Sequence, residues 1–126
     1  GIPLGMAFQL RDDILGVFGD SSITGKPTGD DLREGKRTVL VALTREALMP
    51  SVGKIFDELL SSRKLEDEQI AFLQQTIKGS GALAKTEQMI EELANESLSA
   101  LDMLEIDPTA KLQLRELAMR VINRQA

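Results

Sequence analysis

The sequence predicts an all-α protein, an antiparallel helix bundle, and three observations predict it. Apolar residues recur at helical spacing along most of the 126 residues. Gly and Pro punctuate the chain between these stretches. The connections are short, which implies antiparallel neighbours, and little of the chain reads as strand.

The elements follow in order. A first helix from Ile2 to Phe18 is strongly apolar through Leu4, Met6, Leu10, Ile14, Leu15 and Val17, and its composition predicts burial on most sides. A Gly- and Lys-containing loop follows. A second helix is expected from Gly35 to Met49, with Val39, Leu40, Leu43, Ala47 and Leu48 at helical spacing and Pro50 ending it. Val52 to Leu60 makes a short third. Asp67 to Lys78 makes a fourth, burying Ile70, Phe72 or Leu73, and Ile77, and closed by Gly79. Ser80 caps a fifth from Ala82 to Leu104, whose Leu83, Ile90, Leu93, Ser97, Leu101 and Leu104 form a core stripe. Asp107-Pro108 opens the last, to Arg124, as a cap followed by proline at the first helical position.

The first helix carries a feature that core packing does not explain. Gln9, Asp12, Asp13, Gly16 and Asp20 fall in one stripe of polar or small residues, at spacings i, i+3, i+4, i+7 and i+11. Two adjacent carboxylates on an apolar helix repel each other and are costly to desolvate, so the pair points to a bound cation. The loop Ser21 to Lys36 (SSITGKPTGDDLREGK) adds three glycines, two lysines and two further aspartates. Lysines beside carboxylates suit a metal–diphosphate complex, because magnesium binds through one or two carboxylates plus substrate phosphates.

The run GMAFQLRDDILGVFGDSSITGKPTGDDLREGKRT resembles the C-terminal signature of the trans-isoprenyl (polyprenyl) diphosphate synthases, the farnesyl and geranylgeranyl diphosphate synthase family. Phe8-Gln9, the aspartate motif from Asp12, Gly19-Asp20, Gly25-Lys26, Asp31-Leu32 and Gly35-Lys36 occur in the family's order, over about the first forty residues. Each pair is unspecific alone; the ordered set is specific. Gly16 stands where many relatives carry a third aspartate of a DDxxD motif. The resemblance implies the isoprenoid synthase fold and a family that is homodimeric and magnesium-dependent. It implies Asp12, Asp13 and Asp31 as metal ligands or their supports, Lys26 and Lys36 on the diphosphate, and Phe8 and Gln9 along the allylic pocket. It also implies a basic C-terminal tail, here Arg124, that covers the substrate.

Read from the residues alone, each position has a plainer alternative. Asp12 and Asp13 could form a solvated face, Lys26 an ordinary loop lysine, and Asp31 a helix N-cap rather than a carboxylate that supports the metal's ligands. Lys36 could begin a helix, Phe8 belong to the core, and Arg124 fray. Gln9 on the aspartate face fits a site, since a buried amide needs partners.

The family has two facing aspartate-rich motifs, and this chain has only one. Residues 1–126 therefore read as the C-terminal portion of a synthase domain, carrying half of an active site. The activity implied is head-to-tail condensation of an allylic diphosphate with isopentenyl diphosphate, to a farnesyl- or geranylgeranyl-type product. The chain alone is expected to be inactive, and to associate through apolar faces its partners would cover. An inert binding subunit of a heteromeric prenyl synthase is the alternative, and a class I terpene cyclase fits the motif less well.

Composition agrees. Hydrophobic content is 42% and aromatic content 3%, which makes an aliphatic core. A net charge of −5 opposes nucleic-acid binding. The chain has no Cys and no His, so thiolate and imidazole chemistry are excluded. No apolar run is long enough to span a bilayer, and the composition reads as cytoplasmic.

Overall fold

Helix α1 runs from Ile2 to Phe18, as its apolar pattern predicts. Leu4, Ala7, Leu10, Ile14 and Val17 enter the core. Ile2 and Met6 are exposed, so the helix is buried along one flank rather than on most sides. The computed structural model describes residues 2–20, 25, 27–103 and 107–123. Lys26, Leu104 and Arg124 lie outside the described residues.

Among the described residues six further helices follow: α2 (Asp30–Arg33), α3 (Val39–Ala47), α4 (Pro50–Leu60), α5 (Asp67–Gly79), α6 (Ala82–Asp102) and α7 (Pro108–Asn123). Among the described residues there is no strand, and no helix is long and apolar enough to cross a membrane.

Several boundaries differ from the sequence pattern for local reasons. The one-turn helix α2 is not foreshadowed by any apolar period. The segment expected to start at Gly35 becomes helical only at Val39, because Thr38 ends the extended entry and its hydroxyl accepts the Val41 N–H at 3.2 Å. Pro50 opens α4 at its first position instead of merely ending α3. Gly79 is the last residue of α5, and the left-handed glycine is Gly81. The N-cap of α6 is Gly81, not the expected Ser80, which stands one residue earlier and whose hydroxyl accepts the Ala82 N–H at 3.2 Å. The Glu66 N–H donates to Gln69 Oε1 at 2.8 Å, closing the first turn of α5.

Helix α6 is central and packs against α1, α3, α5 and α7. Its buried face is Ala82, Thr86, Ile90, Ala94 and Leu101, a row of mostly small residues. Small side chains let α1 approach closely, and they push the expected Leu83 and Leu93 to half-buried flanks. The buried hydroxyls of Thr44 and Thr86 donate to the carbonyls of Leu40 and Ala82, each at 2.8 Å, so neither is left unpaired. Phe56, Leu40, Leu60, Leu73, Ile77 and Ile90 fill the centre. Phe72 faces outward and Leu73 takes the core position.

The loop after α1 is fastened to α5. Gln74 Nε2 donates to the Val17 carbonyl at 2.7 Å, and Arg33 bridges the Thr28 carbonyl (2.8 Å) and Asp67 (2.9 Å). Gly29 holds φ at 79°, and a Cβ there would lie 2.6 Å from Ile70 Cγ2. Gly29→Ala is therefore expected to cost about 2 kcal/mol, from left-handed strain plus a core clash, seen as a lower urea midpoint with an unchanged m-value.

Candidate metal centre

Asp12 and Asp13 stand one residue apart on α1 and so point in different directions. Asp12 is exposed, while Asp13 is only 3% exposed. Gln9, one turn earlier, donates from Nε2 to Asp13 Oδ1 at 3.1 Å. Burial pushes the Asp13 carboxyl above its ordinary pKa. The Gln9 hydrogen bond and the Lys36 charge oppose that shift, and the Asp31 and Asp12 charges add to it. Asp12, Asp31 and Lys36, from three different segments, thus all act on one buried carboxylate.

Helix α2 brings Asp31 to α1. Its N-cap is Gly29, with no side-chain cap, so the capping alternative for Asp31 is excluded. The Asp31 side chain is 14% exposed, and Lys36 Nζ lies 3.8 Å from its Oδ2. The Lys36 N–H also donates to the Asp31 carbonyl at 3.0 Å, and Thr38, not Lys36, caps the next helix. At Gly16 the two elements touch: a Cβ on this residue would overlap the Asp31 carboxylate, with Oδ1 at 2.9 Å. Asp30 and Glu34 also place a carboxylate oxygen each within 4.8 Å of one from Asp31, on a more open side of α2.

These donors fit magnesium. All are oxygens, the donor type magnesium takes; among the described residues the trio of carboxylates with oxygens within 4.8 Å of one another is Asp30, Asp31 and Glu34, which Asp12 and Asp13 do not join.

Beside the carboxylates lies a groove of about 360 Å³, lined by Met6, Gln9, Leu10, Val39, Met89 and Leu93 with Glu92 and Glu96. Gln9 belongs to both features, since it lines the groove and binds Asp13. Phe8, half-buried, packs against the core and is not among the groove's lining residues. Lys26 and Arg124 fall outside the described residues.

The spacing of apolar and acidic residues does not single out Arg11. Its side chain is buried, and its Nε and Nη2 donate to the carbonyls of Val121 and Ile122, both at 3.1 Å, with Glu87 Oε1 3.8 Å from Nη1. It ties the end of α7 to the helix that carries the aspartates. The signal available in sequence is a lone arginine inside an apolar helix, whose charge must be paired when buried.

The geometry has known counterparts. Residues 1–77 match the family model described as polyprenyl synthetase. The chain belongs to the polyprenyl synthetase family. It is similar to geranylgeranyl diphosphate synthase of Saccharolobus solfataricus, 33% identical over 99% of this chain and 38% of that one. It is also similar to (2E,6E)-farnesyl diphosphate synthase of Mycobacterium tuberculosis, 30% identical over 100% of this chain and 36% of that one. The fold matches the crystal structure of geranylgeranyl pyrophosphate synthase from Corynebacterium glutamicum complexed with isoprenyl diphosphate and magnesium. The TM-score is 0.89 at 43% identity, over 98% of this chain and 35% of that one. The polyprenyl synthetase chain thus has the isoprenoid synthase fold and spans less than two fifths of the length of these relatives.

The raised pKa of Asp13 has a consequence for stability. The folded state holds this proton to higher pH than the unfolded state does. Stability therefore falls as pH rises from the unfolded carboxyl value through the folded one, and the full cost is reached above the folded value. Asp13→Asn is expected to raise the melting temperature of the metal-free protein by about a few degrees above the pH at which the folded carboxyl ionises, and to flatten its decline through that range. Thermal melts in a chelating buffer across pH check it.

Proposed function

We propose that this chain supplies the second aspartate-rich half of a prenyl transferase site, which joins an allylic diphosphate head-to-tail to isopentenyl diphosphate. The observation that carries the reading is the convergence of Asp31 and Lys36 on buried Asp13 across Gly16, beside an apolar groove. Asp12, Asp13 and Asp31 would hold magnesium, and Lys36 with Lys26 would pair with diphosphate oxygens. Magnesium, when bound, neutralises the diphosphate and stabilises it as it leaves.

The remaining work falls to the chain's own side chains and surfaces. Gln9 fixes the orientation of the Asp13 carboxylate at the mouth of the groove. The apolar walls keep water from an allylic cation once its carbon–oxygen bond has broken. The double bond of isopentenyl diphosphate then attacks that cation, a proton leaves the adjacent carbon, and the departing diphosphate accepts it. No protein nucleophile is required, which agrees with a chain that has no Cys and no His. Phe8 packs against the core and would back the pocket.

The test is an assay with dimethylallyl diphosphate, isopentenyl diphosphate and magnesium, paired with calorimetric titration of inorganic diphosphate. The 126-residue chain is expected to bind diphosphate only when magnesium is present, and to form no product by itself. Diphosphate binding that ignores magnesium would refute the reading. Product formation only after adding a second, active synthase chain would favour the binding-subunit alternative.

A further inference from the structure

We infer that Gly35 is a positioning residue for Lys36: seated against the last turn of α4, it closes α2 so that the Lys36 ammonium faces the aspartates. The inference rests on the proposed diphosphate site and goes further, because it assigns the residue and the helix that set where that charge stands.

The turn is built from backbone contacts. Gly35 holds φ at 65°, in the left-handed region. Its N–H donates to the Leu32 carbonyl at 3.1 Å, and the Lys36 N–H donates to the Asp31 carbonyl at 3.0 Å. This pair of bonds is the Schellman close of a helix, with glycine at the left-handed place. A second constraint is independent of φ. A Cβ on Gly35 would lie 2.7 Å from the Leu60 carbonyl oxygen. That atom belongs to the backbone and cannot swing aside, and the Leu60 side chain is held in the core. Any larger residue therefore has to lift the turn off α4.

Lys36 is held from its other side as well. Arg37 Nη1 lies 3.9 Å from Asp57 Oδ1, and Arg45 Nε lies 2.7 Å from the same oxygen. Asp57 stands about one turn before Leu60 on α4, so the residues before and after Lys36 both rest on that turn. The lysine between them carries its charge to α2, where Nζ stands 3.8 Å from Asp31 Oδ2. The exposed Arg37–Asp57 pair contributes little by itself. The glycine contact is what sets the height of the turn.

The test titrates inorganic diphosphate, with magnesium present, into the full chain and its variants by calorimetry. Lys36→Met and Gly35→Ala are each expected to weaken binding about tenfold. Added to Lys36→Met, Gly35→Ala should cost no further affinity, although its loss of stability persists. A merely structural glycine would lower the melting temperature and leave affinity alone. Gly35→Asn separates the two constraints, since asparagine visits the left-handed region but brings a Cβ. It should bind as weakly as Gly35→Ala. Hydrogen exchange reads the turn without any ligand: the Lys36 amide should lose protection in Gly35→Ala.

Unchanged affinity in a folded Gly35→Ala overturns the inference, and so does a full further loss when that change is added to Lys36→Met. Full affinity in Gly35→Asn, or a Lys36 amide still protected in Gly35→Ala, overturns it too. If Gly35→Ala does not fold by circular dichroism, Lys36→Met with Arg37→Lys decides. A lysine moved one place along should not restore binding, and full binding there overturns the inference. The levels separate at Lys36. A loss in Lys36→Met with none in Gly35→Ala removes only the role of the glycine, whereas no loss in Lys36→Met removes the lysine from the diphosphate site and the inference with it.

Discussion

Replacing Arg11 with alanine is expected to detach the end of α7 from α1 and to destabilise the protein by roughly 3–5 kcal/mol. The last four carbonyls of a helix have no partner within it, and its C-terminal end carries partial negative charge. Arg11 answers both needs at once, with two charge-assisted hydrogen bonds to the carbonyls of Val121 and Ile122. Truncation leaves those carbonyls facing a cavity in the core. The loss is a large share of a typical stability of roughly 5–15 kcal/mol. Hydrogen exchange is the sharpest readout: amides of α7 should lose protection well before those of α3 and α5. Equal loss in all helices would mean that Arg11 only sets global stability and does not anchor α7. Arg11→Lys should recover less than half of the loss, because one ammonium cannot reproduce the guanidinium fork.

The second large effect is expected at Asp12. In a complete synthase carrying this segment, Asp12→Asn is expected to lower kcat for prenyl transfer by about two to three orders of magnitude. Unlike Asp13, this carboxylate is exposed on the helix, so its loss should leave the melting temperature nearly unchanged. The contrast is the point of the experiment. Asp13→Asn should gain stability and lose metal affinity, while Asp12→Asn should lose function with no gain. If kcat of Asp12→Asn stays within a factor of two or so of the unmodified enzyme, Asp12 is not a metal ligand. A fall in the apparent affinity for magnesium at constant kcat would place it in metal recruitment and outside the bond-breaking step.

Much of the helix plan is legible locally. The bounds of α1 follow from its apolar run, and Pro108 opens α7 where a helix with proline at its first position should start. The start of α6 is placed only to within a residue, since Gly81 and not Ser80 is its N-cap. Core membership is less legible. Leucines dominate the expected stripe on α6, yet of it Ile90 and Leu101 are buried while Leu83 and Leu93 are only half-buried, and Ala82, Thr86 and Ala94 complete the buried face. A periodic pattern identifies a face to within about one residue per turn, or 100°. Which neighbour then lies closest depends on where the other helices press.

The candidate site divides in the same way. The resemblance of the ordered motifs to the family implies Asp12, Asp13, Asp31 and Lys36 as one set, whereas the residues alone leave Asp31 and Lys36 plainer alternatives. The net charge and the absence of Cys and His also follow directly from composition, and they restrict the chemistry to carboxylates, lysines and what they bind. Only tertiary structure decides that Asp13 is buried while Asp12 is exposed, that Arg11 anchors the far end of α7, and that the Asp31 side chain lies against Gly16. Each of these depends on contacts between residues remote in sequence, 110 positions apart for Arg11 and Val121. Local propensity fixes which backbone turns form, but burial, contact and clasp exist only where separate helices meet.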